Sequence, residues 1–296
     1  MKPPRFEYVL AHTVGEALDA LRDTSVATKV LAGGQSLVPL LSMRLAHPDR
    51  LVDLNKLTEL DYVRDDGDGV LRIGALTRQR TLERSPIISH NLALLATAMP
   101  YVGHFAIRNR GTLGGSLCHA DPASELPAVM RAYDAIMVTS GPRGVRRIPA
   151  ERFFVGPLMT DLQPDELLVE VEVPQPPAST TSVVKEVARR HGDFAIVGIA
   201  ATAAVDSHGL LRYVRLVAFG VGGVPERLAP AEEQLENARA EPKALEAAGV
   251  LAAQHVDPGS DIHASAGYRR RLTGILVTRA LTDIARRSMR SSVGYP

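Results

Sequence analysis

The chain has 296 residues, and its Lys and Arg nearly balance its Asp and Glu, for a formal net charge of +1. That length calls for two or three packed units rather than one core, and the absence of a basic excess argues against nucleic acid as the main partner. The single cysteine, Cys118, excludes an internal disulfide and any iron–sulfur cluster held by the chain's own thiolates, while no apolar run reaches the length of a membrane span and Met1–Glu7 lacks the core of a signal peptide, so a cytoplasmic protein is expected.

In chain order, Phe6 to Leu10 reads as a short strand. Thr13-Val-Gly-Glu16 matches a capping box, and Val14, Ala17, Leu18 and Leu21 line one face of the helix that follows. Val30, Leu31 and Ala32 form a buried strand, Gly33 and Gly34 a turn able to take positive φ, and Ser36 the N-cap of a helix with Leu37, Leu40 and Leu41 on one face. With the strand Leu51–Asn55, the first 57 residues read as a βαβαβ unit with parallel pairing. From 58 to 177 the texture is α+β. A strand starts at Val70, helices cover Thr81–Glu83 and Asn91–Met99, and a second glycine stretch, Gly111-Thr-Leu-Gly-Gly-Ser116, follows. A helix is opened by Asp121 and Pro122, and strands lie at 135–138, 145–148 and 165–173. Pro174 to Thr181 is the linker. From 178 to 296 there are three strands (Ser182–Ala188, Phe194–Val205 and Leu211–Gly220), the last two joined by the turn Asp206-Ser-His-Gly209. Three helices follow, the longest over roughly Gly267–Arg287.

The chemistry sits in the glycine stretches. A glycine turn feeding a helix N-terminus offers free N–H groups and a favourable dipole to a phosphate. Two such turns, Gly33-Gly-Gln-Ser36 and Gly114-Gly115-Ser116, suit the two ends of a pyrophosphate without a Walker lysine; equally, they suit two structural turns. Cys118 reads as a small buried residue rather than a redox thiol, because no second cysteine resolves it. Arg189, Arg190 and Arg269 to Arg271 read as solvated faces or subunit contacts.

Taken in order, Ala32-Gly-Gly-Gln-Ser36, Ile107-Arg-Asn-Arg-Gly-Thr-Leu-Gly-Gly-Ser116 and Ala120-Asp-Pro-Ala-Ser-Glu125 resemble the FAD-binding medium subunit of the molybdenum hydroxylases, the family of aerobic carbon monoxide dehydrogenase and xanthine dehydrogenase. Lys185-Glu-Val-Ala-Arg-Arg-His-Gly-Asp-Phe-Ala195 is similar to the family's flavin-side loop, and Asp261 to Arg270 to its C-terminal signature. The resemblance spans nearly the whole chain. It implies a two-part FAD-binding domain of the PCMH/vanillyl-alcohol-oxidase type, followed by a C-terminal α+β domain with a three-stranded antiparallel sheet and helices.

The same resemblance implies non-covalent FAD, since Gln35 stands where related flavoproteins carry an attachment histidine. Ala32, Gly33, Gly34, Gln35, Ser36 and Leu37 wrap the pyrophosphate from one side, with Ile107, Thr112, Leu113, Gly114, Gly115 and Ser116 on the other. Glu125 serves the adenosine side, and Asp121 either joins it or caps the following helix. Val102 matches a position over the flavin and Leu162 an isoalloxazine contact. Lys185 matches a lysine at the flavin's pyrimidine end, and Phe194 either shields the flavin or fills the core. His191 lies in the loop bordering the flavin edge, with a solvent-facing role as its other reading. No residue is expected to act as a general acid or base, and no metal site is expected. The implied role is an electron-transfer subunit, with molybdopterin on a large subunit and 2Fe–2S clusters on a small one, assembled as a dimer of heterotrimers. Electrons pass to an external acceptor. A stand-alone flavin oxidoreductase of the same fold is the alternative.

Overall fold

The computed structural model describes residues 2–292. Its first unit comprises β1 (Glu7–Leu10), α1 (Val14–Leu21), β2 (Thr28–Leu31), α2 (Leu37–Ser42) and β3 (Arg50–Asp53). The three strands are all parallel in the order β1-β3-β2, with Val30 opposite Val52 and Leu31 opposite Asp53. The capping box forms with one change. Glu16 N–H donates to Thr13 Oγ1 at 3.1 Å, but the Glu16 carboxylate accepts from His12 N–H at 2.8 Å, one residue before the N-cap.

The second unit contributes β4 (Val63–Asp65), β5 (Val70–Gly74), α3 (Gln79–Arg84), α4 (Pro86–Asn91), α5 (Ala93–Ala98), α6 (Phe105–Arg110), α7 (Leu113–His119) and α8 (Glu125–Ala132). It continues with β6 (Ile136–Gly141), β7 (Gly144–Pro149), α9 (Ala150–Phe153), β8 (Phe154–Gly156), β9 (Met159–Thr160) and β10 (Leu167–Pro174). Its main sheet runs β4-β5-β10-β6-β7, and all neighbours are antiparallel. The second glycine stretch is not a turn, as the sequence reads, but the first turn of α7, with Thr112 as N-cap. Helical glycines cost about 1 kcal/mol each, so propensity conceals this helix; close backbone packing, described below, selects it.

The last unit comprises β11 (Thr180–Ala188), β12 (Ala195–Val205), β13 (Leu211–Phe219), β14 (Glu226–Arg227), α10 (Ala229–Leu235), α11 (Pro242–His255) and α12 (Ala266–Ser292). The three long strands pair antiparallel as the sequence indicates, and the two-residue β14 adds a short fourth.

This sheet is buried on both faces. Val183, Val197, Ile199, Leu216 and Ala218 join the core beneath α10–α12, whereas Val184, Ala200, Val217 and Phe219 join the core of the second unit. The period-two alternation of a strand therefore sends successive β11 residues into different cores. Main-chain and ionic ties reinforce the junction: Gly220 N–H donates to Pro122 O at 2.8 Å, and Arg227 Nη1 lies 2.9 Å from Asp134 Oδ1.

The arginine run that reads as a solvated face is partly structural. Arg269 is buried, and its guanidinium donates to Ile196 O, to Gly220 O at 2.9 Å and to Asp261 Oδ2 at 2.6 Å. Asp261 also accepts the N–H groups of His263 and Ala264; those amides first, and then Arg269, hold its carboxyl down to about 2. The loop before α12 is thus clipped to the ends of β12 and β13. Replacing Arg269 with Ala strands two buried carbonyls, and charge-assisted bonds of this kind are worth about 2 kcal/mol. The Arg269→Ala chain is expected to be less stable by that amount, seen as a lower denaturant midpoint at unchanged slope, and an unchanged midpoint would refute the structural role.

Candidate functional site

The two glycine stretches meet. A Cβ on Gly33 would lie 2.4 Å from Arg110 O and 2.8 Å from Gly111 Cα. On Gly115 it would lie 2.7 Å from Thr112 Oγ1 and 3.4 Å from Ala32 Cβ. The first loop therefore lies backbone to backbone against the segment that leads into α7. Arg78 secures the seam, donating to Arg110 O at 2.5 Å and to Asn55 Oδ1 at 2.7 Å, while Asn55 Nδ2 donates to Ala32 O at 3.0 Å. On the far side of α6, Arg108 is buried. It pairs with Glu83 at 3.0 Å and donates to Val102 O at 3.1 Å and Gly103 O at 2.9 Å, fixing α6 against α3.

In the first loop, Gly34 takes φ +74°, a left-handed value that glycine adopts without strain. Gln35 Nε2 donates to Gly33 O at 3.0 Å. Ser36 does not cap α2 through its side chain. The consequence is a row of unengaged donors: the N–H groups of Gly33, Gly34, Gln35, Ser36 and Leu37 have no acceptor among the described residues. Gly33, Gly34 and Gln35 border an open cleft of about 320 Å³ that Ala32, Val38, Asp53, Asn55 and Arg110 also line. Burial works to raise the Asp53 carboxyl there, but bonds from Tyr8 and Asn55 leave it below the ordinary carboxylate range.

The second stretch is different, and here the expectation of two equivalent turns is corrected. Leu113 N–H donates to Thr77 O at 3.0 Å, Gly114 N–H to Ala75 O at 2.8 Å, and Gly115 N–H to Thr112 Oγ1 at 3.0 Å. Ser116 N–H donates to Thr112 O at 3.2 Å. The N–H groups of these four residues are spent on the fold. Leu113 is itself fully buried and offers no side chain to a ligand.

The remaining candidates are spread along this junction. Asp121 does not cap α8, which begins at Glu125; its Oδ1 accepts from Ala123 N–H at 2.9 Å and closes the preceding turn. Glu125 is 5 % exposed; burial, with the charge of Asp121 acting in the same direction, pushes its carboxyl up to about 7. Val102 lies in the second unit's core, and Leu162 packs half-buried on the same core. Ile107 and Phe194 are exposed, which removes the core role for Phe194. His191, although exposed, stacks on Tyr101 with ring centroids 6.1 Å apart, and Gly192 lies against Gly103.

Lys185, expected at the flavin's pyrimidine end, shares the β11 face of Val183 and Val187, and its Nζ pairs with Asp283 of α12 at 2.6 Å. The residue facing the second unit is the next one, Glu186. Sequence reasoning also missed Arg78 and Asn55; an Asx turn directly after a strand end was the available signal for Asn55.

Comparison with known proteins bears on this site. The profile described as FAD binding domain in molybdopterin dehydrogenase matches residues 4–176, and that of the CO dehydrogenase flavoprotein C-terminal domain matches residues 182–284. The chain belongs to this family. Among relatives of these FAD-binding subunits, the 6-hydroxypseudooxynicotine dehydrogenase complex subunit alpha of Paenarthrobacter nicotinovorans is 41% identical over 97% of each chain. The carbon monoxide dehydrogenase medium chain of Hydrogenophaga pseudoflava is 36% identical over 95% of this chain and 97% of its own. The solved carbon monoxide dehydrogenase of that organism superposes with a TM-score of 0.93 over 97% of this chain and 99% of its counterpart, at 36% identity. Quinoline 2-oxidoreductase from Pseudomonas putida 86 gives 0.92 over 98% and 100%, at 34% identity. The α+β class and the succession of an FAD-binding domain and a C-terminal flavoprotein domain follow directly, and the chain is an oxidoreductase subunit whose domain is built for FAD.

Cys118, on α7, is a free thiol. It packs half-buried on the second unit's core rather than fully buried, and burial pushes its thiol up to about 12, so little of it carries the thiolate at pH 8. The native chain is expected to resist a thiol-reactive dye at pH 8 and to react fully once denatured; rapid labelling of the native chain would contradict this.

Proposed function

We propose that this chain is the FAD-carrying electron-transfer subunit of a molybdenum hydroxylase complex. In this reading it receives electrons from 2Fe–2S clusters on a small subunit, whose source is a molybdopterin site on a large subunit, and it delivers them to an external acceptor. The assembly would be a cytoplasmic dimer of heterotrimers. Relatives bearing the names medium chain and medium subunit support such a place in a complex, and no helix among the described residues is long and apolar enough to cross a membrane. The units would divide as 1–57, 58–177 and 178–296, with FAD held between the first two and reaching the third.

The observation that carries the reading is the row of five N–H groups without acceptors at Gly33–Leu37, set beside α7 across a seam too close for a Cβ. Neutral main-chain donors suit a diphosphate, and glycine keeps the approach open. On this reading the first loop binds the diphosphate, whereas Thr112, Gly114, Gly115 and Ser116 shape the opposing wall and bring the α7 N-terminal dipole toward it. The open cleft at Asp53, Asn55 and Arg110 would take the adenosine end, because Asp53 is an ionised acceptor suited to ribose hydroxyls. The flavin end would then run along α7 toward Val102, Leu162, Glu125 and Phe194, between the second unit and β11. When bound, FAD supplies redox chemistry in steps of one or two electrons. The chain's own residues position it and leave an edge accessible beside the Arg189–Phe194 loop.

Purification of the native complex, with its subunits identified and flavin measured, tests the assignment. Gly33→Val and Gly115→Val are expected to lower FAD affinity about 100-fold, near 2.7 kcal/mol, in chains that keep their far-ultraviolet spectrum but melt at a lower temperature, because the added side chain pushes the seam apart. Full FAD occupancy in both variants, or a native complex without FAD and a molybdenum subunit, would overturn it.

A further inference from the structure

One cation at the glycine seam has no anion of its own. Arg78 stands at the N-cap of α3, half-buried, and bridges to Thr112. Its guanidinium donates to Arg110 O at 2.5 Å and to Asn55 Oδ1 at 2.7 Å. Both acceptors are neutral, and Arg78 forms no salt bridge among the described residues. Arg110, whose side chain lines the cleft, forms none either. Burial first, and then the charge of Arg110, works against the charged form of Arg78; Asp61 and Asp53 favour it, neither at ion-pair distance. A cation taken partly out of water normally gains an anion in exchange, because its lost hydration is not otherwise replaced.

The two acceptors of Arg78 stand on the two sides of the seam. Arg110 O is the atom that excludes a Cβ at Gly33. Asn55, on the other side, donates from Nδ2 to Ala32 O at 3.0 Å and to Asp53 Oδ1 at 2.5 Å. An asparagine amide has a donor end and an acceptor end that exchange by a half-turn. Arg78, placed at the oxygen, decides which end faces Ala32. The peptide between Ala32 and Gly33 is planar and trans, so its C=O and N–H point in opposite directions. With the carbonyl drawn to Asn55, the Gly33 N–H is turned the other way, where it meets no acceptor among the described residues. Gln35 repeats the device one peptide later: its Nε2 holds Gly33 O, which turns out the Gly34 N–H.

We propose that Arg78 is a positioning residue for the diphosphate of the cofactor: through Asn55 it sets the peptide that presents the first donor of the Gly33–Leu37 row, and its unpaired charge is balanced when a diphosphate lies across that row. The inference rests on the reading that this row binds the diphosphate of FAD. Arg78 does not line the cleft, so it acts through Asn55 and through its field rather than by contact. The two effects are separable. The relay through Asn55 is a matter of geometry and is indifferent to salt, whereas the field of a cation weakens as salt screens it.

The experiment is a titration of the deflavinated native complex with FAD, followed by flavin fluorescence, for the wild type, Arg78→Gln, Arg78→Lys and Asn55→Ala. It spans about 20 mM to about 500 mM NaCl, over which the screening length falls from roughly 20 Å to roughly 4 Å. ADP, which carries the diphosphate without the flavin, is titrated as a competitor. Wild-type affinity is expected to fall about tenfold across this range. Arg78→Gln is expected to bind about tenfold more weakly at low salt, a gap that closes to about threefold at high salt. Arg78→Lys keeps the charge and is expected to keep the wild-type salt slope. Asn55→Ala keeps the charge but breaks the relay, and is expected to bind about tenfold more weakly at every salt concentration, with the wild-type slope. ADP is expected to lose the same factors as FAD.

A wild-type salt slope in Arg78→Gln, a slope in Arg78→Lys as shallow as that expected of Arg78→Gln, or wild-type affinity in Asn55→Ala would overturn the proposal. So would a loss of FAD affinity that ADP does not share. A wild-type complex that binds no FAD at any salt concentration would instead strike at the assignment of the cofactor.

Discussion

The contact on which the structure depends is the approach of the Gly33 backbone to Arg110 and Gly111. A side chain of any size is excluded there, because the ideal Cβ position already lies 2.4 Å from a carbonyl oxygen. Two segments from different units are thereby brought to main-chain distance, and the geometry of the first unit on the second is set by backbone rather than by adjustable side chains. Arg78, Asn55 and Arg108 then fix carbonyls on either side of the seam. A site whose walls are backbone is rigid, and rigidity is what a cofactor needs if its distance to other redox centres is to be constant.

The division of labour across that seam is unequal, and the inequality has a physical origin. α7 is too short to be stable on its own and contains two consecutive glycines. It is held by donating its first N–H groups to Ala75 O and Thr77 O at the end of β5 and the segment beyond it. The first loop follows a parallel strand and feeds α2, which is also short, but among the described residues no neighbour recruits its N–H groups. The donors that stabilise one wall are therefore unavailable to a ligand, and those left over on the other wall are the ones that can bind.

Much of this was legible in the sequence. The strand–turn–helix at Val30–Leu41 follows from an apolar run, two glycines and a tolerated Pro39. The parallel first sheet follows from alternating strands and helices, and the antiparallel third sheet from three long β patterns joined at Asp206–Gly209. The α7 helix was not legible, because glycine propensity points the other way and only tertiary contacts to Ala75 and Thr77 reverse it. Nor was the burial of Arg269, since a run of arginines carries no sign of which member turns inward. The short β14 lies below the length at which a pattern exists.

The placement of Lys185 shows how narrow the margin is. In a strand buried on both faces, hydrophobicity gives no alternation to read, because Val183 and Val184 are both apolar and both buried. A slip of one residue exchanges the two cores. Lysine at 185 is thus spent on Asp283 beneath α12, and the wall facing the second unit receives an acid. This alters the electrostatics of the junction. A lysine there would lend a permanent positive charge to the wall that meets the second unit; Glu186, its Oε2 buried and without a hydrogen-bond partner, lends an acid instead. The same backbone with a neighbouring residue turned inward thereby exchanges a base for an acid on the wall that meets the second unit.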